Sequence, residues 1–412
     1  TKKFQGNPRL LMQTYLVGGA VRDRLMGRPA RERDFVVVGA DPDIMLARGF
    51  QQVGSHFPVF LHPETHEEYA LARNRRSADG AKDGFADDGP VTLEQDLARR
   101  DLTINAIAED EQGRLIDPFG GREDLQRRLL RHVSDAFVDD PIRILRVARF
   151  MARYADFGFT VAPETEALMV EMLVPERVWQ ELSGALGEPW PRSFFETLRG
   201  VGALQRVFPE IDALWGVPQP KDWHPEVDCG EHTMLALQVA VDLSDDPEVR
   251  FATLTHDLGK ATTPERILPS HYGHEARGVK AIQRICSRIK APTRFRELAC
   301  RCATFHGYLH RLYDLKPKTV LKLLAGLDAF RQPQRLQQYI LVCQADYQGR
   351  LGFRQRPYPQ AHDLMRIYQA ASEVSSATLD PTLMGRLLGD AIRRERIKRI
   401  SDVMNSLEAA VD

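Results

Sequence analysis

GGAVRDRLMGRPARERDFVVVG, residues 18–39, is the stretch that decides the fold at the start of this chain. The double glycine Gly18-Gly19 opens a segment whose apolar spacing predicts a helix. Glu32 and Asp34 then stand two residues apart at the head of the apolar run 35–38, which predicts a strand. We therefore expect a tight turn into a helix, followed by a strand that begins with two carboxylates.

These elements together predict a site for a nucleoside triphosphate, although each alone is common in proteins. The backbone N–H groups at a helix N-terminus bind phosphate, and Arg22 stands one turn into the helix, within reach of a phosphate. Alternate strand residues share a face, so Glu32 and Asp34 are placed to share divalent metal ions. Two such ions about 4 Å apart activate a hydroxyl and stabilise a leaving pyrophosphate.

The composition is that of a globular protein with a sizeable core. The chain has 412 residues, of which 43% are hydrophobic and 27% charged, which predicts about two to four domains. No apolar run approaches the length of a membrane span, and the polar start of the chain predicts no signal peptide. The five cysteines include no CxxC pair, which argues against a disulfide scaffold or structural zinc and favours the cytoplasm.

The formal net charge of −1 does not indicate a nucleic-acid ligand, so any such ligand needs a local basic surface. Two clusters of basic residues are candidates. One follows helical spacing at Arg143, Arg146, Arg149 and Arg153. The other lies near the C-terminus at Arg386, Arg393, Arg394, Arg396, Lys398 and Arg399. The alternative interpretation of either cluster is a solvated helix face.

Strand and helix patterns divide the chain into an α+β head and a long all-α body. Short strands are predicted at 15–17, 35–38 and 68–73, and residues 115–121 predict a strand that ends in a turn. The Gly-, Ala- and Asp-rich residues 74–90 predict a mobile loop. Helical periodicity begins at Ile142 and continues in the segments 163–173, 231–243, 250–258, 275–288, 319–327 and 381–400. Prolines between 209 and 225 predict a connector within the helical part.

A second set of residues has the pattern of a metal site in helical phosphohydrolases. His256 and Asp257 are adjacent, His232 lies on an earlier helix, and Asp346 is the candidate fourth ligand. Imidazole and carboxylate ligands suit Ni²⁺, Mn²⁺, Co²⁺ or Mg²⁺. The candidates for a second metal ion are His274 and His306; surface or satisfied core positions are predicted for His271 and His310.

The motifs of the whole chain stand in a fixed order. They are Gly18-Gly19-Ala-Val-Arg22-Asp23, Glu32-Arg-Asp34, Arg99-Arg100-Asp101-Leu-Thr-Ile-Asn105, Asp117-Pro-Phe-Gly-Gly121, Asp140-Pro-Ile-Arg143-Ile-Leu-Arg146-Val-Ala-Arg149 and Glu176-Arg177-Val-Trp179. In this order the chain resembles the tRNA nucleotidyltransferases, or CCA-adding enzymes, of the polymerase-β-like superfamily. It is most similar to the bacterial version with a C-terminal HD domain.

The resemblance implies a polymerase-β-like head at residues 1–138, a helical neck and body at 139–225, an HD domain at 226–350 and a helical tail at 351–412. It also implies roles for individual residues. Gly19 and Arg22 would contact the triphosphate, and Mg²⁺ would be held by Glu32 and Asp34, with Glu68 as a third acidic candidate. The remaining nucleotide-binding positions implied are Arg100, Asp101, Asn105, Asp140, Arg143, Arg146 and Arg149.

In this family Asp140 and Arg143 would act as a protein template that reads the base edge. Cytosine and adenine both offer an amino donor beside a ring acceptor, which suits a carboxylate next to a guanidinium. Guanine and uracil place a carbonyl oxygen where Asp140 needs a donor, at a cost of about 1–3 kcal/mol. The structural alternative is that Asp140 caps the helix that begins near Pro141.

The implied activity is addition of C, C and A to tRNA 3′ ends from CTP and ATP, with release of pyrophosphate. The HD domain would add phosphatase, 2′-nucleotidase and 2′,3′-cyclic phosphodiesterase activity. Partners would be tRNA, CTP and ATP, with no membrane, and the enzyme would be a monomer or homodimer. The alternatives are a poly(A) polymerase, an enzyme that adds only A or only CC, and an HD phosphohydrolase whose head only binds RNA. A (p)ppGpp synthetase/hydrolase is disfavoured because its HD region normally comes first.

Two features depart from the family pattern. Relatives usually carry aspartate at both metal positions, whereas the longer Glu32 of this chain moves its carboxylate outward by about 1 Å. Only three residues separate Met172 from Glu176, where relatives have a longer loop.

Overall fold

The computed structural model describes residues 12–30, 32–53, 59–72, 91–140, 142–171 and 178–408. The chain divides into two compact units, residues 1–174 and 175–412, and each is described by itself. The predicted loop at 74–90 and the short connection between Met172 and Glu176 lie outside the described residues.

The first unit is built on a mixed sheet. Its strands are β1 Gln13–Val17, β2 Asp34–Val38, β3 Gln51–Val53, β4 Val59–Leu61, β5 Glu68–Leu71, β6 Ala108–Glu109 and β7 Leu115–Ile116, with a separate pair β8 Leu129–Leu130 and β9 Thr160–Val161. The order across the main sheet is β3-β4-β5-β2-β1-β6-β7. Only β2 and β5 run parallel in it, and every other neighbouring pair is antiparallel.

Both faces of the central strand β2 are buried, as its unbroken apolar sequence predicts. Val36 packs on one face against Val17, Leu97 and other apolar side chains. Val37 packs on the other face with a different set that includes Phe60. Because β2 is held on both faces, the residue at its start is rigidly placed.

The helices of this unit flank the sheet. They are α1 Gly19–Leu25, α2 Pro42–Ala47, α3 Leu93–Leu97, α4 Gly121–Arg127, α5 Ile142–Tyr154 and α6 Pro163–Glu171. Thr92 and Gln95 form a capping box at the start of α3. Asp117 receives hydrogen bonds from the backbone N–H groups of Gly121 and Arg122 and so caps α4.

The described part of the second unit is all helical apart from one isolated β-bridge. Its helices are α7 Val178–Leu186, α8 Pro191–Gly200, α9 Leu204–Val207, α10 Pro209–Asp212, α11 Cys229–Leu243, α12 Pro247–Thr255, α13 His274–Arg288, α14 Thr293–His310, α15 Pro317–Gly326, α16 Pro333–Gly349, α17 Pro359–Ser372 and α18 Gly385–Glu408. Asp228 caps α11 and Asp246 caps α12 through their carboxylates.

The predicted fold class, an α+β head followed by an all-α region, is confirmed. One local expectation is wrong: β2 begins at Asp34, so Glu32 precedes the strand and strand alternation does not place its side chain. Within the described ranges, no helix has the length and apolarity needed to cross a membrane.

Candidate active sites

The register of the main sheet gathers the predicted nucleotide site at one end of three strands. Val17, the last residue of β1, is paired with Asp34, and Asp34 is also paired with Glu68 at the start of β5. Gly18 and the first turn of α1 follow Val17 directly. The predicted phosphate-binding turn and two of the predicted acidic residues are therefore neighbours.

Gly18 has the left-handed φ of 71°, which favours glycine. A Cβ atom there would also lie 3.0 Å from an Arg100 guanidinium nitrogen. The Arg22 side chain is buried, and its Nη1 donates to Asn105 Oδ1 at 2.6 Å while its Nε donates to Asp23 at 2.9 Å. The turn therefore brings together predicted residues from α1 and from the segment before β6.

The buried carboxylate of Asp101 holds neighbouring side chains of the same region by hydrogen bonds. Its Oδ1 accepts hydrogen bonds from the Leu102 backbone at 2.9 Å and from Asn105 at 3.0 Å, and its Oδ2 accepts one from Arg146 at 2.8 Å. Burial alone would raise the pKa of this carboxyl, but Arg146 and the hydrogen bonds hold it below its usual value. Asp101 is thus an anion that orients Asn105 and Arg146.

The pKa of the Asp34 carboxyl is raised above its ordinary value. Partial desolvation raises its pKa, Arg100 lowers it, and the nearby Glu32 raises it further. In the described part of the head, no three ligand side chains bring their donor atoms within 4.8 Å of one another.

The start of α5 carries the predicted base-reading pair. Asp140 is buried, and its carboxylate accepts from the backbone N–H of Ile142 at 3.3 Å, so the capping alternative holds. The Arg143 guanidinium donates to the backbone oxygens of Ala136 and Arg99. Further along α5, the guanidinium carbon of Arg149 lies 6.0 Å from the ring centroid of Phe150.

In the second unit, separate helices deliver the predicted HD ligands to one centre. His232 lies on α11, His256 and Asp257 follow the end of α12, and Asp346 lies on α16. The second-metal candidates lie at the start of α13, His274, and near the end of α14, His306. All the predicted ligands of this unit are brought together.

They form two adjoining sets of three. In the first, His232 Nε2 lies 3.0 Å from Asp346 Oδ1, and His256 Nε2 lies 3.7 Å from Asp346 Oδ2. The second set surrounds Asp257 Oδ1, which lies 3.4 Å from His274 Nε2 and 3.5 Å from His306 Nε2. Asp257 also joins the sets, because its Oδ2 lies 3.2 Å from His256 Nε2.

The histidine rings are held so that Nε2 faces the centre. The Nδ1 of His256 bonds the Thr253 carbonyl at 2.7 Å, that of His274 bonds the His271 carbonyl at 2.8 Å, and that of His306 bonds backbone carbonyls at 3.2 Å. Because a carbonyl accepts only from N–H, Nδ1 carries a proton in each of these rings. The inward Nε2 atoms are then available as metal ligands.

Three observations fit a cation at this centre. Among the described residues, the buried atoms His256 Nε2 and Asp257 Oδ1 have no hydrogen-bond partner, which is costly unless something else satisfies them. The Nε2 atoms of His274 and His306 face each other at 3.2 Å. Finally, Asp257 and Asp346 raise the pKa of His256 to about 9 although burial opposes this, so the centre attracts positive charge.

Sequence reasoning missed Glu226 and His224, which lie in the connector before α11. Glu226 Oε1 accepts from His224 Nδ1 at 3.0 Å and lies 2.9 Å from His232 Nδ1, although that N–H is poorly aligned with it. Burial would raise the pKa of Glu226, but His224 and His232 hold it far below its usual value. No periodic pattern marks a loop residue, so the sequence offered no signal for this contact.

His310 is satisfied, as predicted, but by a metal-site residue. Its Nε2 lies 2.7 Å from Asp346 Oδ2, and Tyr358 Oη lies 2.9 Å from its Nδ1. The spacing of four from His306 places both rings on one face of α14 and was the available signal. The ring of His271 is also satisfied, by Thr263 Oγ1 and the Pro218 carbonyl.

Comparison with protein families agrees with this geometry. Residues 14–131 match the poly A polymerase head domain, residues 158–214 match the probable RNA and SrmB-binding site of polymerase A, and residues 229–347 match the HD domain. The first match contains the predicted phosphate- and metal-binding residues from Gly19 to Asn105, and the last contains the predicted HD ligands from His232 to Asp346.

Comparison with individual proteins covers almost the whole chain. A solved CCA-adding enzyme with CTP has a TM-score of 0.61 at 19% identity, covering 98% of this chain and 92% of that one. The Thermotoga maritima CCA-adding enzyme complexed with tRNA has a TM-score of 0.59 at 19% identity, covering 97% of this chain and 92% of that one. These two show the fold. The multifunctional CCA protein of Thioalkalivibrio sulfidiphilus is 56% identical over 403 residues, covering 95% of this chain and 98% of that protein. This chain therefore belongs to the family of multifunctional CCA proteins, which carry a poly(A) polymerase-type head and an HD domain.

Proposed function

We propose that the protein adds C, C and A to tRNA 3′ ends from CTP and ATP, and that its HD site hydrolyses phosphate esters. The observation that carries the first activity is the sheet register that sets Asp34 beside Glu68 and beside the turn into α1. The second activity is carried by the two joined sets of ligands around Asp257.

In the head, Glu32 and Asp34 would hold Mg²⁺, with Glu68 next to Asp34. Bound there, Mg²⁺ supplies activation of the tRNA 3′-hydroxyl and charge neutralisation on the leaving pyrophosphate. Arg22, oriented by Asn105 and Asp23, presents its guanidinium to the triphosphate beside the N-terminus of α1.

Base selection would come from Asp140 and Arg143. The backbone carbonyls of Ala136 and Arg99 hold the Arg143 guanidinium at the start of α5, where it would donate to the ring acceptor of cytosine or adenine. Asp101 holds Arg146 in place at the same helix. The tRNA acceptor arm would be held through phosphates and shape rather than through base edges.

In the second unit, a divalent cation such as Ni²⁺, Mn²⁺, Co²⁺ or Mg²⁺ would polarise a phosphate and supply a nucleophilic water. The residues that would hold it are His232, His256, Asp257 and Asp346, with His274 and His306 for a second ion. Substrates with 2′,3′-cyclic, 2′- or terminal phosphates at RNA ends suit a protein that also restores such ends. The cysteines are all free thiols, which fits a cytoplasmic location.

The test uses Asp34→Ala and the double change His256→Ala and Asp257→Ala. Labelled CTP and ATP, separately and together, are supplied with tRNA that ends before CCA, and hydrolysis of a 2′,3′-cyclic nucleotide is followed in parallel. Asp34→Ala should lower incorporation by at least about 100-fold and spare hydrolysis, because the two sites use separate ligands. The double change should do the reverse.

The length and order of the products separate the related activities. Addition that stops at CCA supports the proposal, whereas long A tails, or A or CC alone, would assign a narrower relative. Loss of both activities in Asp34→Ala, or of neither, would contradict the two-site assignment.

A further inference from the structure

A cleft of about 600 Å³ lies between α14, α15 and α18 of the second unit, and neither site uses it. Lys318 and Lys322 reach it from α15, and Arg393 and Arg396 reach it from α18. Two of these four belong to the C-terminal basic cluster found in the sequence. The cleft therefore joins cations from helices about 70 residues apart in the chain.

Among the described residues, the cations of this cleft have no carboxylate as a counter-charge. No carboxylate is among the residues that line it. Lys318, Lys322 and Arg393 are exposed and form no ion pair with the described residues. Like charges that converge without a counter-charge repel one another, so the arrangement favours an anionic ligand.

Two contacts hold the side chain of Arg396 in place at the side of the cleft. Its guanidinium carbon lies 3.7 Å from the centroid of the Phe330 ring, and its Nη2 donates to the Val374 carbonyl at 3.3 Å. Its Nε is buried without a partner, and burial lowers the pKa of the side chain. An anion near Arg396 would offset the free-energy cost of burying its positive charge.

The floor of the cleft is apolar. Leu321, Ala325 and Ile392 line it together with the rings of Phe305 and Phe330. Gly389 also borders the cleft, and among the described residues no atom lies within 4 Å of where its Cβ would stand. An apolar floor under a rim of cations suits a ligand that carries both a flat apolar body and phosphates.

We propose that this cleft binds a nucleotide unit and the adjoining backbone phosphates of the tRNA substrate, as a contact separate from both active sites. RNA is the occupant that fits best, because it joins bases to regularly spaced phosphates, whereas a free phosphate ion leaves the apolar floor unused. The inference rests on the proposed tRNA activity and adds a surface of the HD-containing unit to it.

The test compares two triple variants with the same loss of charge. The cleft variant is Lys318→Gln, Lys322→Gln and Arg393→Gln. The control variant is Arg386→Gln, Arg394→Gln and Lys398→Gln, which removes three exposed cations that lie in the C-terminal cluster but do not line the cleft. Circular dichroism and the melting temperature show whether each variant folds.

The Kd of tRNA lacking its CCA end is measured from 50 to 300 mM KCl. For the cleft variant, the Kd should rise by about tenfold or more, and the slope of log Kd against log salt should fall by about 2–3, one for each lost phosphate contact. For the control variant, the slope should change by less than about 1. In CCA addition, the cleft variant should raise KM for tRNA and leave kcat at saturating tRNA unchanged.

If the two variants weaken tRNA binding equally, the proposed role of the cleft is wrong, because the loss of net charge alone would then explain the effect. Unchanged tRNA binding, with weaker binding of AMP or pyrophosphate by the cleft variant, would reassign the cleft to a small anion. If the wild-type protein adds CCA while the cleft variant binds tRNA normally, only this inference fails. If the wild-type protein neither binds tRNA nor adds CCA, the proposed function fails with it.

Discussion

The orientation of the ligand histidine rings decides whether the HD centre can bind metal. Glu226 lies behind one of these rings, that of His232. A metal-ligating histidine usually places its second ring nitrogen against a carboxylate or carbonyl, which fixes the ring and raises its basicity. His256, His274 and His306 use backbone carbonyls for this purpose. His232 instead faces the buried carboxylate of Glu226 at 2.9 Å.

Glu226→Gln is therefore expected to weaken metal binding by about 10–100-fold, since it removes the negative charge behind His232 while keeping the size of the side chain. The measurement is calorimetric titration of the metal-free protein with Mn²⁺. Glu231→Gln is the matched control: it lies next to His232 on α11 but bonds the Trp215 indole at 3.1 Å. Equal Mn²⁺ affinity of Glu226→Gln and wild type would show that Glu226 does not support the ligand.

At the scale of elements, close approach of helices sets the HD site. Gly259 follows the His256-Asp257 pair, and a Cβ there would overlap the His274 carbonyl and lie 2.5 Å from the backbone nitrogen of Gly278. Both of these partners are on α13, which carries His274. Only glycine lets the turn after α12 pack against α13 at this distance.

Gly259→Ala should force these elements apart, separate Asp257 from His274 and abolish phosphate-ester hydrolysis, at a cost in stability of about 1–3 kcal/mol. The measurement pairs hydrolysis with CCA addition, which should remain. Gly307→Ala serves as control, because a Cβ on that α14 residue has no neighbour within 4 Å and alanine favours a helix by about 1 kcal/mol. Full hydrolysis by folded Gly259→Ala would refute the packing argument.

At the scale of the whole molecule, an ion pair between α10 and α13 links stability to pH. Glu210 accepts from both terminal nitrogens of Arg288, at 2.7 and 2.6 Å. Burial would raise the pKa of Glu210, but Arg288 lowers it below its ordinary value near 4.5. A depressed carboxyl pKa stabilises the folded state above the unfolded value and loses that contribution as pH falls through the folded value.

Arg288→Gln should therefore lower the free energy of unfolding by about 1 kcal/mol at pH 7, a figure reduced because Arg288 is partly exposed. The difference from wild type should shrink as pH falls below about 4.5. All four tryptophans lie between residues 179 and 223, so denaturant unfolding followed by tryptophan fluorescence reports this unit. A difference that is constant from pH 7 to pH 3 would contradict the linkage.

The head shows which parts of a site could be predicted from sequence. The turn at Gly18-Gly19 and the cap at Asp117 are local, so neighbouring residues already specify them. The neighbours of Asp34 are not local, because strand pairing with Val17 and Glu68 decides them. Glu32 was misplaced for the same reason: strand alternation applies only where pairing begins, and pairing begins at Asp34.

In the second unit, too, some site residues could be predicted from the sequence and others could not. The adjacent His256-Asp257 and the spacing of His306 and His310 on α14 could be read directly, since helical period fixes which residues share a face. The contact of Glu226 with His232 depends on how the connector folds back, which no period specifies.

The sequence by itself determined the fold class, through hydrophobic period and local propensity, and the family, through the order of its motifs. The kinds of ligand at each site stay predictions from residue chemistry. The tertiary structure alone decided which ring nitrogens converge on Asp257 and how α15 and α18 bring their cations to one cleft. The physical reason is that long-range neighbours are chosen by the packing of buried apolar faces, which carry polar groups distant in the chain to the same place.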